Sequence, residues 1–351
     1  MNYVLLGSSG LRVSEFCLGT ATFGEDGWGC DRDESARILD TYFEAGGRFI
    51  DVSNTYGGGR SEEIVGDWAQ NKRDELVIGT KFTAITRPGD PNAWGNHRKS
   101  LRQSLETSLR RLKTDYVDLL WVHNWDGLTP LEEIMRALDD QVRAGAVLYV
   151  GVSNTPAWAV ARANTLAEWK GWTRFVALQT EYSLVSRTPE HELIPMAHHL
   201  GLHVLAWSPL AGGLLTGAYT EPAPSGTRYR RDEIASHRLE IADGLTTIAG
   251  EIGQPPAAVA LSWLRHRPIP VLLMLGARTT KQLDELLGFV DLAIDDECFR
   301  RLDELSAPTP IMPREGLDLP GVDDYFHGGI RDKVQAASHA THPSPTRKRA
   351  P

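Results

Sequence analysis

Cysteine is scarce in this sequence. The 351 residues include three cysteines, Cys17, Cys30 and Cys298, which are widely separated. None of them forms part of a Cys-x-x-Cys pair or a familiar metal-ligand spacing. We therefore expect neither a disulfide framework nor a metal site. A reducing, cytoplasmic location is the default expectation for such a chain.

Long apolar runs and excess positive charge are also missing. No stretch is apolar over the roughly 20 residues that a transmembrane helix needs, and the first 15 residues lack the pattern of a signal peptide. The net charge of −9 gives no support to nucleic-acid binding. Hydrophobic residues make up 41% of the chain, which suffices for a large core. We expect a soluble protein with a small-molecule substrate and no membrane partner, and its oligomeric state stays open.

Short apolar runs alternate with amphipathic segments along most of the chain. The apolar runs predict eight strands, which are Phe16–Leu18, Arg48–Val52, Leu76–Gly79, Val117–Val122, Leu148–Val150, Phe175–Leu178, His203–Ala206 and Val271–Met274. Segments between them predict helices, among them Asp33–Ala45, Arg98–Leu112, Pro130–Arg143 and Pro189–Leu200. This alternation predicts an α/β fold with a parallel sheet. Eight strands favour a closed (β/α)8 TIM barrel over an open sheet, although periodicity alone does not decide between them.

Three segments lie outside this repeat. Residues 3–15 predict an N-terminal β-hairpin that could close the bottom of a barrel. Residues 219–240 are polar and contain proline and glycine, which predicts a long surface loop or lid. Residues 335–351 hold few core-forming side chains, so we expect a flexible tail after one barrel domain with a C-terminal extension over residues 1–334.

Polar side chains stand at nearly every predicted strand exit, where functional residues of a (β/α)8 barrel gather. Asp51 lies at the end of the second strand and Tyr56 soon follows it, while Lys81 comes at the end of the third strand and His123 at the end of the fourth. An ammonium near Tyr56 would stabilise its phenolate and lower its pKa, which is ordinarily about 10. Tyr56 could then protonate a carbonyl oxygen as a hydride reaches the carbon. Since no side chain supplies hydride, these residues imply a nicotinamide.

The residues leave a simpler reading open for two members of this set. Lys81 and Asp51 could form a structural ion pair beneath the barrel mouth. His123 alone would more often be a hydrogen-bonded core histidine. The case for chemistry therefore depends on the four residues occurring together.

The chain resembles the aldo-keto reductase family. The motifs that carry the resemblance run in order from residue 6 to 287 and are LGSSGLRVSEFCLGTATFG, IDVSNTYGGGRSEEIVG, VIGTKF, SLRRLKTDYVDLLWVHNWD, YVGVSN, LQTEYSL, AWSPLAGGLLTG and GARTTKQLDELL. They are similar to the bacterial-type and potassium-channel-β-like branches. The resemblance implies a catalytic tetrad of Asp51, Tyr56, Lys81 and His123. It also implies NADPH bound in extended form across the C-terminal mouth of the barrel.

The resemblance further implies a set of cofactor contacts. The family positions that hold the carboxamide are matched by Ser153, Asn154 and Gln179. The position that stacks on the nicotinamide is matched by Trp207. Positions along the pyrophosphate are matched by Ser208, Leu210, Gly212 and Leu214. Positions around the 2′-phosphate and adenine are matched by Gly276, Ala277, Arg278, Gln282 and Glu285, and Gly19 and Thr20 complete the predicted cofactor set. Because a guanidinium grips phosphate well, Arg278 favours NADPH over NADH.

Two positions depart from the family pattern. Ser53 stands where the family usually has alanine, which is a small change. Leu286 stands where it commonly has an asparagine that contacts adenine, and this bears on cofactor affinity rather than cofactor type.

Tryptophans fall in three of the predicted loops at the barrel mouth. Trp28, Trp94 and Trp125 follow the first, third and fourth strands, which favours an apolar substrate pocket over a mere cap on the barrel.

Three hypotheses about function follow. The chain could reduce aldehydes or ketones, sugar-like ones included, with NADPH, and run in reverse as an alcohol dehydrogenase. It could instead be an NADPH-sensing regulatory subunit with slow turnover. It could also be an unrelated barrel enzyme such as an aldolase, with a Schiff base on Lys81. The ordered cofactor motifs favour the first hypothesis, while the natural substrate and preferred direction cannot be predicted.

Overall fold

A computed structural model of the protein describes residues 1–219, 231–289, 292–312, 321–330 and 333. The strands are β1 (Tyr3–Leu5), β2 (Arg12–Ser14), β3 (Phe16–Gly19), β4 (Phe49–Asp51), β5 (Val77–Phe82), β6 (Val117–Val122), β7 (Val147–Ser153), β8 (Phe175–Glu181), β9 (His203–Trp207) and β10 (Val271–Leu275). The eight parallel strands from β3 to β10 close into a barrel, in which each strand pairs with the next along the chain and β10 pairs with β3. The predicted (β/α)8 barrel is confirmed.

Helices surround the barrel. Within the described ranges they are α1 (Arg32–Glu44), α2 (Arg60–Ala69), α3 (Arg98–Leu112), α4 (Leu131–Arg143), α5 (Ala157–Lys170), α6 (Leu193–His199), α7 (Ser236–Glu251), α8 (Pro256–Arg265), α9 (Thr280–Gly288), α10 (Asp296–Leu305) and α11 (Val322–His327). None of these described helices combines the length and the apolar character needed to cross a bilayer.

The apolar side chains form two layers that follow the two-residue period of the strands. Side chains on the outer face of the strands pack against the helices in one large cluster. Those on the inner face form a second cluster inside the barrel, which includes Cys17, Phe49 and Trp121. Leu6 and Val13 of the N-terminal hairpin join this inner cluster, so the predicted hairpin is confirmed and plugs the barrel.

The hairpin sits at the bottom of the barrel, at the start of the strands. The imidazole Nδ1 of His203, the first residue of β9, lies 3.1 Å from the carbonyl oxygen of Leu5. The opposite end, where the strands finish, is therefore left for the loops that carry the predicted site.

Several predicted boundaries need correction. Strands β5, β7 and β8 run on to Phe82, Ser153 and Glu181, because polar residues at their ends belong to the barrel rather than to loops. The predicted helix Pro189–Leu200 begins too early: a 3-10 turn at Thr188–Glu190 precedes α6, which covers Leu193–His199. Arg187 and the Tyr182 hydroxyl both donate to the Glu190 carboxylate, which ties down this turn.

The predicted loop over residues 219–240 is partly wrong. A 3-10 turn occupies Arg231–Glu233 and α7 begins at Ser236, since polar residues also suit the exposed first turn of a helix. Residues 220–230 of that loop, and the predicted tail over 335–351, lie outside the described residues.

Helix α2 packs closely against the end of α3 at Gly66. A Cβ added there would lie 2.3 Å from the carbonyl oxygen of Arg111 and 2.7 Å from the Cα of Leu112. We expect Gly66→Ala to lower the free energy of unfolding by about 1–3 kcal/mol, because backbone has to move to make room. Chemical denaturation would measure this loss.

The matched control is Gly250→Ala in α7, where an added Cβ meets nothing within 4 Å. We expect this variant to be unchanged or stabilised by up to about 1 kcal/mol, since alanine favours helix. Equal stability of the two variants would contradict the close packing of α2 on α3.

Candidate active site

A ring of inward-facing residues continues the inner apolar layer to the C-terminal mouth of the barrel. On most strands, a residue of the predicted site lies two positions after an apolar residue of the inner layer. Asp51 lies two positions after Phe49, and His123 two positions after Trp121. The same spacing leads to Gly19, Gln179, Trp207 and Gly276, and a spacing of four leads from Val77 to Lys81 and from Tyr149 to Ser153. The barrel therefore brings most of the predicted site residues to one level.

Lys81 and Asp51 form an ion pair in which both side chains are fully buried. The Lys81 ammonium also donates to the carbonyl oxygen of Val52 at 2.9 Å. Burial alone would lower the pKa of Lys81, but Asp51 and then Tyr56 more than offset this, so its pKa lies above the ordinary value. Lys81 is therefore an ammonium at neutral pH.

Tyr56 lies in the 3-10 turn directly after β4. Its ring centroid is 4.6 Å from Lys81 Nζ and 6.3 Å from the His123 ring, which stands nearly perpendicular to it at 87°. Tyr56, Lys81, Asp51 and His123 thus come together as predicted from the strand exits.

The prediction that Lys81 lowers the pKa of Tyr56 below its ordinary value is wrong, because the net shift is upward. Burial raises the pKa of Tyr56, and the opposing attraction of the Lys81 ammonium is not sufficient to bring it below the ordinary value. At neutral pH Tyr56 therefore keeps its proton, which is the form a proton donor needs. Lys81 still makes the phenolate less costly than it would be in a neutral pocket.

His123 is held as a neutral imidazole. Burial first, and the Lys81 charge second, lower its pKa to about 3. Its Nδ1 is buried and has no hydrogen-bond partner among the described residues. A neutral imidazole can hydrogen-bond to an oxygen without competing with Tyr56 for the proton.

Ser153 and Gln179 lie beside this set on neighbouring strands, directly paired in the sheet register. Gln179 Nε2 donates to Asp51 Oδ1 at 3.1 Å, so the predicted cofactor position touches the buried ion pair. The Ser153 hydroxyl is buried and unpartnered within the described part of the chain. An amide group of a ligand would satisfy this hydroxyl, so these residues fit a nicotinamide carboxamide.

Strained backbone marks the loops that follow the strands. Asn154 and Ser208 adopt left-handed φ angles of 43° and 51°, and Ala211 does so at 51°. Such conformations cost on the order of 1–3 kcal/mol each and concentrate at functional sites. Asn154 also donates through Nδ2 to the carbonyl oxygen of His123 at 3.0 Å, which links the loops after β6 and β7.

The predicted pyrophosphate stretch follows β9. Trp207 ends that strand and is half-buried, and Leu210 is also half-buried. Gly212 has a left-handed φ of 65°, whereas the Leu214 side chain is buried in the core. Leu214 could therefore face a ligand only through its backbone.

The predicted adenosine region lies at the start of α9. Gly276 and Ala277 lead from β10 into this helix, and the Ala277 carbonyl accepts from the Thr22 hydroxyl at 2.7 Å. Gln282 Oε1 accepts from the Arg278 backbone N–H at 2.9 Å. Glu285 is one helical turn further along, on the same helix. Leu286 is buried in the core, which explains why an apolar side chain is tolerated there.

Gly19 and Thr20 are placed at the end of β3. The Thr20 hydroxyl lies within hydrogen-bond distance of the Asp51 carbonyl, at 2.9 Å, and of the Ser61 hydroxyl, at 2.7 Å. Thr20 therefore supports the residue that carries the ion pair, whatever it contributes to a cofactor. A Cβ at Gly19 would lie 2.7 Å from the Met274 side chain, so glycine is needed for packing here.

The three predicted pocket tryptophans stand on three loops at the mouth. Trp28 and Trp125 are half-buried, and Trp94 is exposed. Trp125 packs edge-on against Trp158 with ring centroids 5.3 Å apart. Trp158 was missed because it is the second residue of α5 and does not lie in a loop directly after a strand.

Sequence reasoning also missed Arg111 and Glu62, which form an ion pair beside the Tyr56 turn. A charged residue among the buried positions of α2 was the available signal, because such a residue needs a partner. Among the described residues no group of histidine, cysteine and carboxylate side chains could hold a metal ion.

The fold and this geometry define a (β/α)8 barrel with a cluster of buried ionisable side chains at its C-terminal mouth. The chain belongs to the aldo/keto reductase family, whose model matches residues 15–307. This assignment supports an oxidoreductase that acts on a small-molecule substrate.

Similar proteins agree with the family assignment. The chain is 40% identical over 331 residues to the uncharacterized oxidoreductase YrpG of Bacillus subtilis, covering 91% of this chain and 98% of that one. It is 38% identical over 313 residues to the norsolorinic acid reductase of Aspergillus flavus, covering 86% and 80%. It is 33% identical over 311 residues to the aryl-alcohol dehydrogenase GME11368 of Pestalotiopsis microspora, covering 86% and 81%.

A histidine NMR titration would test the neutral state of His123. We expect its ring resonances, assigned with the variant His123→Gln, to stay constant from pH 8 to pH 5, because the pKa is lowered from 6.5 to about 3. The unfolded chain takes up this proton at higher pH than the folded one, so the contribution of His123 to stability decreases as the pH falls below about 6.5. A titration midpoint near 6.5 would contradict the assignment.

Proposed function

We propose that the chain reduces aldehydes or ketones to alcohols with NADPH, and that alcohol oxidation is the reverse reaction. The observation that carries this proposal is the buried Lys81–Asp51 pair next to Tyr56, with a neutral His123 close to the same tyrosine ring. Packing alone gives no reason to bury these charges at the mouth of a barrel.

Each residue of the proposed tetrad has a role that its surroundings support. Tyr56 holds its proton at neutral pH and donates it to the carbonyl oxygen. Lys81 stabilises the phenolate that remains, and Asp51 holds Lys81 charged and in place. His123, being neutral, hydrogen-bonds the substrate oxygen and orients it. NADPH supplies the hydride that no side chain can provide.

The proposed cofactor contacts run from the middle of the mouth to α9. Ser153, Asn154 and Gln179 would hold the carboxamide, and Trp207 would stack on the nicotinamide. The 2′-phosphate would lie near Arg278, two residues before α9 begins, where both the guanidinium and the positive end of the helix favour an anion.

An aromatic carbonyl compound is the substrate class that we favour. Trp28, Trp94 and Trp125 would line the pocket, and Trp125 is already braced by Trp158. One relative bears the name aryl-alcohol dehydrogenase, which agrees with this choice. A sugar-like substrate would need more polar partners than the indole N–H groups of these side chains offer.

A Schiff base on Lys81 is disfavoured on physical grounds. The reaction needs a neutral amine at the carbonyl carbon. Lys81 is fully buried, paired with Asp51 and held charged.

Replacement of Tyr56 by phenylalanine tests the proton donor. We expect Tyr56→Phe to lower kcat for 4-nitrobenzaldehyde by about 10²–10⁴-fold, since the ring remains but the proton is lost. Turnover would be followed by NADPH absorbance, and NADPH binding by fluorescence should change little.

The matched control is Tyr3→Phe in the hairpin at the bottom of the barrel, where the hydroxyl donates to the Gly46 carbonyl. We expect this variant to keep full turnover. Undiminished turnover of Tyr56→Phe would overturn the acid role. Very slow turnover of the unmodified protein on a broad panel of carbonyl compounds would instead favour the regulatory alternative.

Replacement of Arg278 by glutamine tests the preference for NADPH. We expect Arg278→Gln to raise the Kd for NADPH by roughly 10–100-fold, because a charge-assisted bond to phosphate contributes about 1.5–3 kcal/mol. The Kd for NADH should hardly change. Lys281→Gln in the first turn of α9 is the control, since that side chain is 86% exposed. An equal effect of Arg278→Gln on both nucleotides would contradict the proposal.

A further inference from the structure

The turn that carries Tyr56 has little conformational preference of its own. Gly57, Gly58 and Gly59 follow Tyr56 directly, with left-handed φ angles of 57°, 67° and 100°. Glycine adopts such angles at little steric cost, but of all residue types it also has the greatest backbone freedom. The position of the Tyr56 ring therefore depends on contacts from outside the turn.

Arg111, at the end of α3, supplies such contacts on both sides of Tyr56. Its Nη1 donates to the carbonyl oxygen of Asn54 at 3.1 Å, and Nη2 donates to that of Gly58 at 3.5 Å. A Cβ at Gly59 would lie 2.2 Å from Arg111 Cζ. The guanidinium thus lies flat against the turn and binds the carbonyls two residues before and two residues after the tyrosine.

Glu62 fixes the guanidinium in this place. Its carboxylate is buried, and Oε2 lies 3.1 Å from Arg111 Nη1. The other oxygen, Oε1, accepts from the Thr80 hydroxyl at 2.7 Å. Thr80 directly precedes Lys81 in β5. One chain of charged and polar contacts therefore joins the strand that holds Lys81 to the turn that holds Tyr56.

We infer that Arg111 is a positioning residue that sets the Tyr56 ring against Lys81, with Glu62 as its anchor. This inference rests on the proposed function, because it concerns the alignment of the proton donor. A planar group with several donors can bridge two carbonyls and a carboxylate at once, whereas an ammonium offers a single point of charge. A small displacement of a reacting group costs up to about 10²-fold in rate.

Arg111 is open to chemical rescue. Its side chain is about a quarter exposed, and it lines an open cleft together with Arg32, Glu63 and Thr107. A free guanidinium ion could enter from this cleft and occupy the space that a truncated side chain leaves.

The test uses the full-length protein with 4-nitrobenzaldehyde and NADPH. We expect Arg111→Ala to lower kcat by about 10–100-fold while the Kd for NADPH stays the same. Millimolar guanidinium chloride should restore part of the lost kcat, and potassium chloride at equal ionic strength should not. Arg111→Lys should also have a lowered kcat, because lysine keeps the charge but lacks the planar group with several donors.

Arg110→Ala is the matched control, since the adjacent guanidinium is exposed and bonds to Thr107 within the same helix. It should keep full turnover and show no response to guanidinium. If Arg111→Ala does not fold, Glu62→Gln tests the expected loss of kcat, because it keeps the shape of the anchor and removes its charge. Thermal melting of each variant verifies that it is folded.

Two results would overturn the inference. One is unchanged kcat in a folded Arg111→Ala or Glu62→Gln variant. The other is a loss of kcat in Arg111→Ala that guanidinium does not relieve, which would indicate a general structural role. Failure of the proposed function itself has a different signature, namely full turnover of Tyr56→Phe.

Discussion

The ion pair of Lys81 and Asp51 is the interaction on which the site depends. Both charges are buried, and removing two charges from water costs several kcal/mol per ion before their attraction repays it. The pairing of β4 with β5 makes the ion pair possible, because these strands are neighbours and both residues face the interior of the barrel. The pair raises the pKa of Lys81 and, through the charge on Lys81, helps to keep His123 neutral. A barrel that only had to be stable would have no need of it.

Much of the fold and of the site could be predicted from the sequence, because both follow from the alternation of inward and outward side chains. The run Phe49 to Asp51 places an apolar residue deep in the barrel and a carboxylate at its mouth, and Ala177 to Gln179 repeats this pattern. Local periodicity also sufficed for Val117–Val122 and Arg98–Leu112, whose predicted ends agree with the structure.

What could not be predicted depends on contacts between distant parts of the chain. Gln179 reaches Asp51 across 128 residues, and Arg111 reaches Asn54 across 57. Whether the pKa of Tyr56 lies above or below its ordinary value depends on the balance between burial, which raises it, and the Lys81 charge, which lowers it. No sequence motif encodes this balance. The break before α6 also escaped prediction, because Glu190 is held there by side chains on other segments.

A crystal structure of the complex with NADP⁺ and a carbonyl inhibitor would test whether Tyr56 is the proton donor beside the nicotinamide. We expect the carboxamide to contact Ser153, Asn154 and Gln179, and the Tyr56 hydroxyl to lie about 2.6–3.2 Å from the inhibitor oxygen. A complex in which the nicotinamide lies away from these residues, or in which the Tyr56 hydroxyl cannot reach that oxygen, would contradict it.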